Sequence, residues 1–172
     1  MSITEDQFRK TLGLFPTGVT VVTTPYRQED IGITISSFTS VSLNPPQILF
    51  CLSKYSRTTS IFKECVYFSI NILSAHQSHI SDIFAKHMPW TNEALKGVRH
   101  EGTGCLLFSD ALGYIVCEKG NIYEEGDHHI ILGHVIAVGN NLKDPPLVRQ
   151  RGQYLTTQSI SPVEPFQKVC SL

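Results

Sequence analysis

Six side-chain hydroxyls fall within the nine residues 34–42, on Thr34, Ser36, Ser37, Thr39, Ser40 and Ser42, with Asn44-Pro45-Pro46 directly behind them. Small hydroxyls and the backbone beside them can line the edge of a flat polar heterocycle, a flavin for example, without bulk that would block its approach. The same composition also suits a Thr/Ser-rich edge strand, because Thr is a good strand residue. A second group, Ser53-Lys54-Tyr55-Ser56-Arg57-Thr58-Thr59, follows an apolar run and precedes a helical pattern. Hydroxyls, backbone amides and a guanidinium can converge there on an anion such as a phosphate, although ordinary helix capping uses the same residues and no Gly-rich Walker spacing is present.

Histidines supply the third candidate. Gly126-Asp127-His128-His129 reads as a hairpin turn, where His128 can shape a pocket, polarise a carbonyl or simply meet solvent. Adjacent strand residues face opposite ways, so His128 and His129 cannot readily share one metal ion. His76, His79 and Asp82 recur along one helix face, but no HExxH or matching carboxylate motif accompanies them, and a polar surface is expected. No serine sits in a GxSxG elbow and no cysteine carries a nucleophile signature, so hydrolase chemistry lacks support. Trp90, Phe84 and Met88 form either a lid or a satellite core, and the core reading is preferred.

The elements that must position these groups are mostly strands. Thr4 and Gln7 make a capping box, Phe8, Leu12 and Phe15 recur at helical spacing, and Gly13 with Pro16 ends a helix over about 2–13. Residues 19–24 are β-branched throughout; after a polar loop at 26–30, residues 32–38 alternate, giving a hairpin. The apolar run 48–52 predicts a central strand buried on both faces, followed by a short helix to about Glu64 and a strand at 67–73. Residues 74–84 look helical, with Ile80, Ile83 and Phe84 inward. The stretch 86–104, with Pro89, Trp90 and three glycines, reads as a long loop. Two long alternating segments, 112–123 and 128–138, flank Glu124-Glu125-Gly126-Asp127 as a second hairpin. Six or seven strands without a regular β-α-β rhythm predict a closed or nearly closed antiparallel barrel rather than a Rossmann domain.

Composition agrees. A chain of 172 residues suits one domain, and 41% hydrophobic with 17% charged residues is globular. Fourteen Lys+Arg against 15 Asp+Glu leave a net charge of -1, too balanced for a phosphate-backbone surface, so nucleic acid is not expected as a partner. No apolar run approaches the ~20 residues of a membrane-spanning helix, and MSITEDQFRK lacks the basic head of a signal peptide. Five cysteines, odd in number and without a CxxC pair, argue against a disulfide framework and for a reducing cytoplasm.

Taken in order, FPTGVTVVTT (15–24), GITISSFTSVSLNPP (32–46), ILFCLSKYSRTTSIF (48–62), FSINILSAHQ (68–77), GDHHIILGHV (126–135) and RGQY (151–154) resemble the short-chain NAD(P)H:flavin oxidoreductases, the reductase components of two-component flavin monooxygenases such as the 4-hydroxyphenylacetate and phenol hydroxylase systems. The resemblance spans nearly the whole chain. It implies a single homodimeric, FMN-binding split β-barrel, mainly β, antiparallel and Greek-key-like, with a few short flanking helices. The barrel core would cover about 17–155 and a C-terminal tail 156–172.

By position, the resemblance puts Thr34, Ser36, Ser37, Ser40, Val41 and Ser42 along the isoalloxazine and ribityl chain of FMN or FAD. Ser53, Ser56, Arg57 and Thr59 would hold the phosphate, and Asn71 and Gln77 would complete the wall. His128 would lie beside the nicotinamide of NADH or NADPH, with Arg151 and Tyr154 closing that side. No metal is implied. Two departures stand out: Ser36 replaces a frequent Asn, and Arg149-Gln150 replace aromatic residues before the RGxY segment. The implied reaction is hydride transfer from nicotinamide to flavin, for which the protein need only align two rings about 3–3.5 Å apart. The reduced flavin would serve a partner monooxygenase. The alternatives are a prosthetic flavin that reduces ferric iron or a corrinoid, and a non-catalytic flavin- or haem-binding barrel.

Overall fold

The computed structural model describes residues 3–89, 91, 95–141 and 143–158. Helix α1 (Glu5–Leu12) starts at the expected capping box, with the Thr4 hydroxyl accepting from the Gln7 amide and the Gln7 side chain accepting from the Thr4 amide. Strand β1 (Thr17–Gly18) is brief. Strands β2 (Thr20–Tyr26) and β3 (Glu29–Ile35) then form the first hairpin, with Tyr26 opposite Glu29. The expected loop at 26–30 is therefore a two-residue turn, made possible by the positive φ of 57° at Arg27.

Strand β3 ends at Ile35, short of the expected Phe38. The chain leaves it, crosses to the far edge of the sheet and forms β4 (Thr39–Leu43), which pairs with β5 (Pro46–Ser53). Helix α2 (Thr59–Glu64), β6 (Tyr67–Ile72), a 3-10 turn (Ala75–Gln77) and α3 (Ser78–Lys86) follow. The single helix expected at 74–84 is thus broken near Gln77, and it buries Ile80 and Phe84 as expected. Within the stretch expected to be a loop, β7 (Gly97–Arg99) pairs with β8 (Leu106–Phe108). The long hairpin is β9 (Gly113–Glu125) and β10 (His128–Asn140). Strands β11 (Leu147–Gln150) and β12 (Gln153–Thr156) close the described chain and make a small sheet with β1.

The main sheet has seven antiparallel strands in the order β3-β2-β6-β9-β10-β5-β4. Ser37 draws its two ends together: its hydroxyl accepts from the Cys51 amide and donates to the Cys51 carbonyl, both at 3.0 Å. Strand β5 lies next to the sheet edge, and Ile48, Phe50 and Leu52 are buried while Leu49 and Cys51 are half-buried. The expectation of a central strand buried on both faces is corrected, because the run is apolar on both sides but only one side faces the barrel.

Strand β2 is buried on both faces. Val22 faces the barrel interior with Phe50, Phe62, Phe68 and Ile131, while Val21 packs on Phe84, Leu106 and Phe108 beneath α3. Two cores therefore share one strand, and a period-2 pattern apolar in both registers is what this demands. The preferred core reading of Phe84 holds, since it is buried in that second core, whereas Met88 is exposed and Trp90 lies outside the described residues. Residues 159–172 of the expected tail also lie outside them, and Thr156 belongs to β12.

Candidate active site

The two hydroxyl-rich segments and His128 meet around β5. On one side β4 sets Ser40 opposite Ile48, and a bulge between Ser40 and Ser42 pushes Val41 outward. On the other side β10 sets His128 opposite Ser53. Ser36, Ser40 and Val41 are exposed and Ser42 is half-buried, as a ligand edge requires. Thr34 and Ser37 are half-buried and already bonded, Thr34 donating to the Ser81 carbonyl of α3 at 2.7 Å and Ser37 clamping β5. Those two hydroxyls are spent on bonds that hold the edge against α3 and β5.

Residues 53–59 fold into a tight turn. The Ser56 amide donates to the Ser53 carbonyl at 3.0 Å, the Thr59 hydroxyl donates to that same carbonyl at 2.6 Å, and the Ser56 and Thr58 hydroxyls are 2.9 Å apart. Thr59 is buried and its hydroxyl is committed to the turn, so it positions the loop. Arg57 is exposed and carries no ion pair among the described residues, which leaves its guanidinium available to an anion. Lys54 donates its amide to the Asp127 carbonyl at 2.9 Å and sets its ammonium 3.4 Å from Glu124. The loop and the β9–β10 turn are thus one unit. Lys54 carried no role in the sequence reading; its place inside the 53–59 group was the available signal.

His128 and His129 diverge as strand geometry predicts, with side chains 44% and 5% exposed. The His128 Nδ1 lies 2.7 Å from Asp127 Oδ1, and this hydrogen bond holds the Asp127 carboxyl below the usual carboxylate range. With Nδ1–H so engaged, Nε2 is directed outward. His129 Nδ1 is buried without a hydrogen-bond partner among the described residues, 3.9 Å from Glu124, whose own carboxyl the Lys54 charge holds low.

Four expected contacts have other employment. Asn71 is wholly buried: its Nδ2 donates to the carbonyls of Leu106 and Val21, and its Oδ1 accepts from the Phe108 amide at 2.9 Å. It belongs to the second core and not to a ligand wall. Gln77 is buried and caps its turn at the Ser74 amide, on a different cleft. The Tyr154 hydroxyl bonds Ser81 Oγ at 2.8 Å and Asp82 Oδ1 at 2.9 Å, while Arg149 covers its ring. Arg151 makes the β11–β12 turn with φ 50° and binds Gly13 through its amide. For Asn71, Tyr154 and Arg151 the partners lie tens of positions away, beyond what sequence could assign, whereas the Gln77 cap is local to Ser74. His76 and His79 are exposed, Asp82 bonds Lys86 and Tyr154, and no metal-ligating cluster occurs among the described residues.

The arrangement offers no nucleophile–base pair at the hydroxyl-rich edge. It offers an open edge of small hydroxyls, an unpaired guanidinium and an oriented imidazole, beside a half-buried apolar face of Leu49, Cys51, Ile130 and Leu132. A flat ring system with a phosphate arm fits these features better than a small acyl substrate.

Comparison with known proteins agrees. Residues 12–158 match the family model "Flavin reductase like domain". The chain is 42% identical over 134 residues to "Probable flavin reductase" of Rhizobium meliloti (strain 1021), covering 77% of this chain but 43% of that longer protein. It is 32% identical over 151 residues to "Flavin-dependent monooxygenase, reductase subunit HsaB" of Mycobacterium tuberculosis (strain CDC 1551 / Oshkosh), covering 86% and 79% of the two chains. Among solved structures, the NADH:FAD oxidoreductase SgcE6 of Streptomyces globisporus C-1027 superposes with a TM-score of 0.84 at 32% identity, covering 92% of this chain and 98% of that one. On the residues matched and the barrel they build, this chain belongs to the flavin reductase-like domain family.

Proposed function

We infer that the chain is an NAD(P)H:flavin oxidoreductase that supplies reduced FMN or FAD to a partner monooxygenase. The observation that carries this reading is the convergence of the β4 hydroxyls, the 53–59 loop and His128 around β5. The bound flavin would supply a hydride acceptor at its N5 atom. The chain's own work is alignment: Ser36, Ser40, Val41 and Ser42 edge the ring, Ser53, Ser56 and Arg57 hold the phosphate, and His128, turned by Asp127, orients the nicotinamide. Ser37, Thr34 and Thr59 keep those surfaces in place through bonds to Cys51, Ser81 and Ser53.

The half-buried apolar face beside the edge, with Val41 and the 77%-exposed Leu43 at its rim, supports a homodimer that covers the ring. A cytoplasmic setting accords with free thiols at Cys51, Cys65, Cys105 and Cys117. The test is oxidation of NADH and NADPH by purified protein, read from nicotinamide absorbance with and without added FMN or FAD. Turnover that requires added flavin supports a diffusible flavin substrate. Turnover without it assigns a prosthetic group and a specific acceptor. Flavin binding with no turnover makes the protein a flavin-binding barrel and refutes the reductase reading.

A further inference from the structure

Three elements reach the carboxylate of Glu124, the penultimate residue of β9. The Lys54 ammonium of the 53–59 loop stands 3.4 Å from Oε2, the Lys63 ammonium of α2 3.8 Å from Oε1, and the His129 Nδ1 of β10 3.9 Å from Oε1. His129 is the cross-strand neighbour of both Glu124 and Leu52. Its imidazole is buried, and its Nδ1 has no hydrogen-bond partner among the described residues, which leaves the Glu124 carboxylate as the charge it faces.

The backbone runs a parallel tie. The Lys54 amide donates to the Asp127 carbonyl at 2.9 Å, and Ser53 lies opposite His128. Adjacent strand residues point to opposite faces, so a contact that anchors His129 on one face also fixes the direction of His128 on the other. Stability is not what these contacts supply. The Glu124 side chain is 63% exposed, and ion pairs at such exposure contribute little to folding. A carboxylate that joins a loop, a helix and a strand at so little benefit to the fold, beside the groups assigned to flavin and nicotinamide, suits alignment.

We propose that Glu124 is a positioning residue that braces the 53–59 loop against the His128 turn, so that an anion held by the loop also sets the imidazole for the nicotinamide. The inference rests on the flavin reading above and adds a linkage to it. The flavin phosphate, remote from the reacting ring, improves nicotinamide binding through Lys54, Glu124 and the β9–β10 turn. By reciprocity, bound nicotinamide tightens the hold on FMN.

The test compares FMN with riboflavin, which has the same ring and no phosphate, in wild type, Glu124→Gln and Lys54→Met. Flavin fluorescence gives each Kd, NMR of the saturated complexes reports the His128 ring, and oxidation of NADH or NADPH gives KM. Because the ring is common to both flavins, a difference between the two complexes at His128 reports the phosphate. Wild type should show that difference, together with a nicotinamide KM about 5-fold or more lower with FMN than with riboflavin. Glu124→Gln should abolish the His128 difference and bring the two KM values together, while the riboflavin Kd and the melting temperature stay at wild-type values. Lys54→Met should do the same, and the double variant should lose no more than either, since each breaks one brace. A His128 difference that survives Glu124→Gln, or a loss shared equally by FMN and riboflavin, would overturn the proposal. So would Lys54→Met weakening FMN where Glu124→Gln does not, because Lys54 would then touch the phosphate directly. Absence of flavin binding by wild type would overturn the flavin reading and the brace together, whereas tight FMN binding with identical His128 signals in the two complexes would overturn the brace alone.

Discussion

Replacing Asn71 with Ala separates a structural role from a ligand role. The Asn71 amide ties β2, β6 and β8 together through Val21, Leu106 and Phe108. After truncation the Leu106 carbonyl keeps donors from Thr23 at 2.8 Å and Ser69 at 2.7 Å, so that acceptor stays satisfied. The Phe108 amide does not, because Asn71 Oδ1 is the acceptor it uses inside a fully buried site. An orphaned buried N–H costs about 1–3 kcal/mol, and loss of the remaining contacts adds about 1 kcal/mol, for a total of about 2–4 kcal/mol. For a domain of this size that lowers Tm by about 4–16 °C. Urea unfolding gives the free energy, and flavin titration below the transition gives the Kd of the folded fraction. Destabilisation with an unchanged flavin Kd is expected. A variant as stable as wild type that binds flavin several-fold more weakly would refute the core assignment and restore Asn71 to the ligand wall.

His128→Ala should lower kcat/KM for NAD(P)H about 10- to 100-fold while flavin affinity stays within about twofold, because only the nicotinamide side loses its orienting group; unchanged kinetics in stopped-flow reduction would remove His128 from the site. Gly133→Ala places a Cβ 2.5 Å from Phe68 Cζ and 2.9 Å from Cys117 Cβ in the barrel core, and should cost about 1–3 kcal/mol by calorimetry. Burial pushes the Cys105 and Cys117 thiols up to about 11 and about 12 from 9.0. Folding thus favours the protonated thiol, a contribution fully present below pH 9 and lost as pH rises toward those values; denaturation at pH 8 and pH 11 should differ by about 2 kcal/mol per thiol. Replacing both with Ser or Ala should flatten that slope. Thiol labelling of native protein at pH 8 should find Cys51 reactive and Cys105 and Cys117 protected.

Much of the architecture was legible along the chain because its signals are local. The Thr4–Gln7 capping box, the β-branched run of β2 and the alternation of β9 and β10 each depend on neighbours within a few positions. The resemblance rested on motifs of the same kind, and the two segments for which it implied ligand contacts, 34–42 and 53–59, both flank β5, with Ser36, Ser40, Val41 and Arg57 exposed and Thr58 and Thr59 buried. Where local signals were weak they misled: Arg27 makes a two-residue turn by taking a positive φ that its residue type does not announce, and β7 is too short to show a period.

Which hydroxyls and amides remain free for a ligand was another matter. Thr34 and Ser37 carry the same groups as Ser36 and Ser40, yet their hydroxyls are consumed by Ser81 and Cys51, 47 and 14 positions away. Asn71 looks like a binding residue until Leu106 and Phe108 come to meet it, and Tyr154 until α3 supplies Ser81 and Asp82. A polar side chain's type is written in the chain, but whether its hydrogen-bonding capacity is spent depends on strands and helices brought beside it from far along the sequence. That pairing exists only once the barrel has closed.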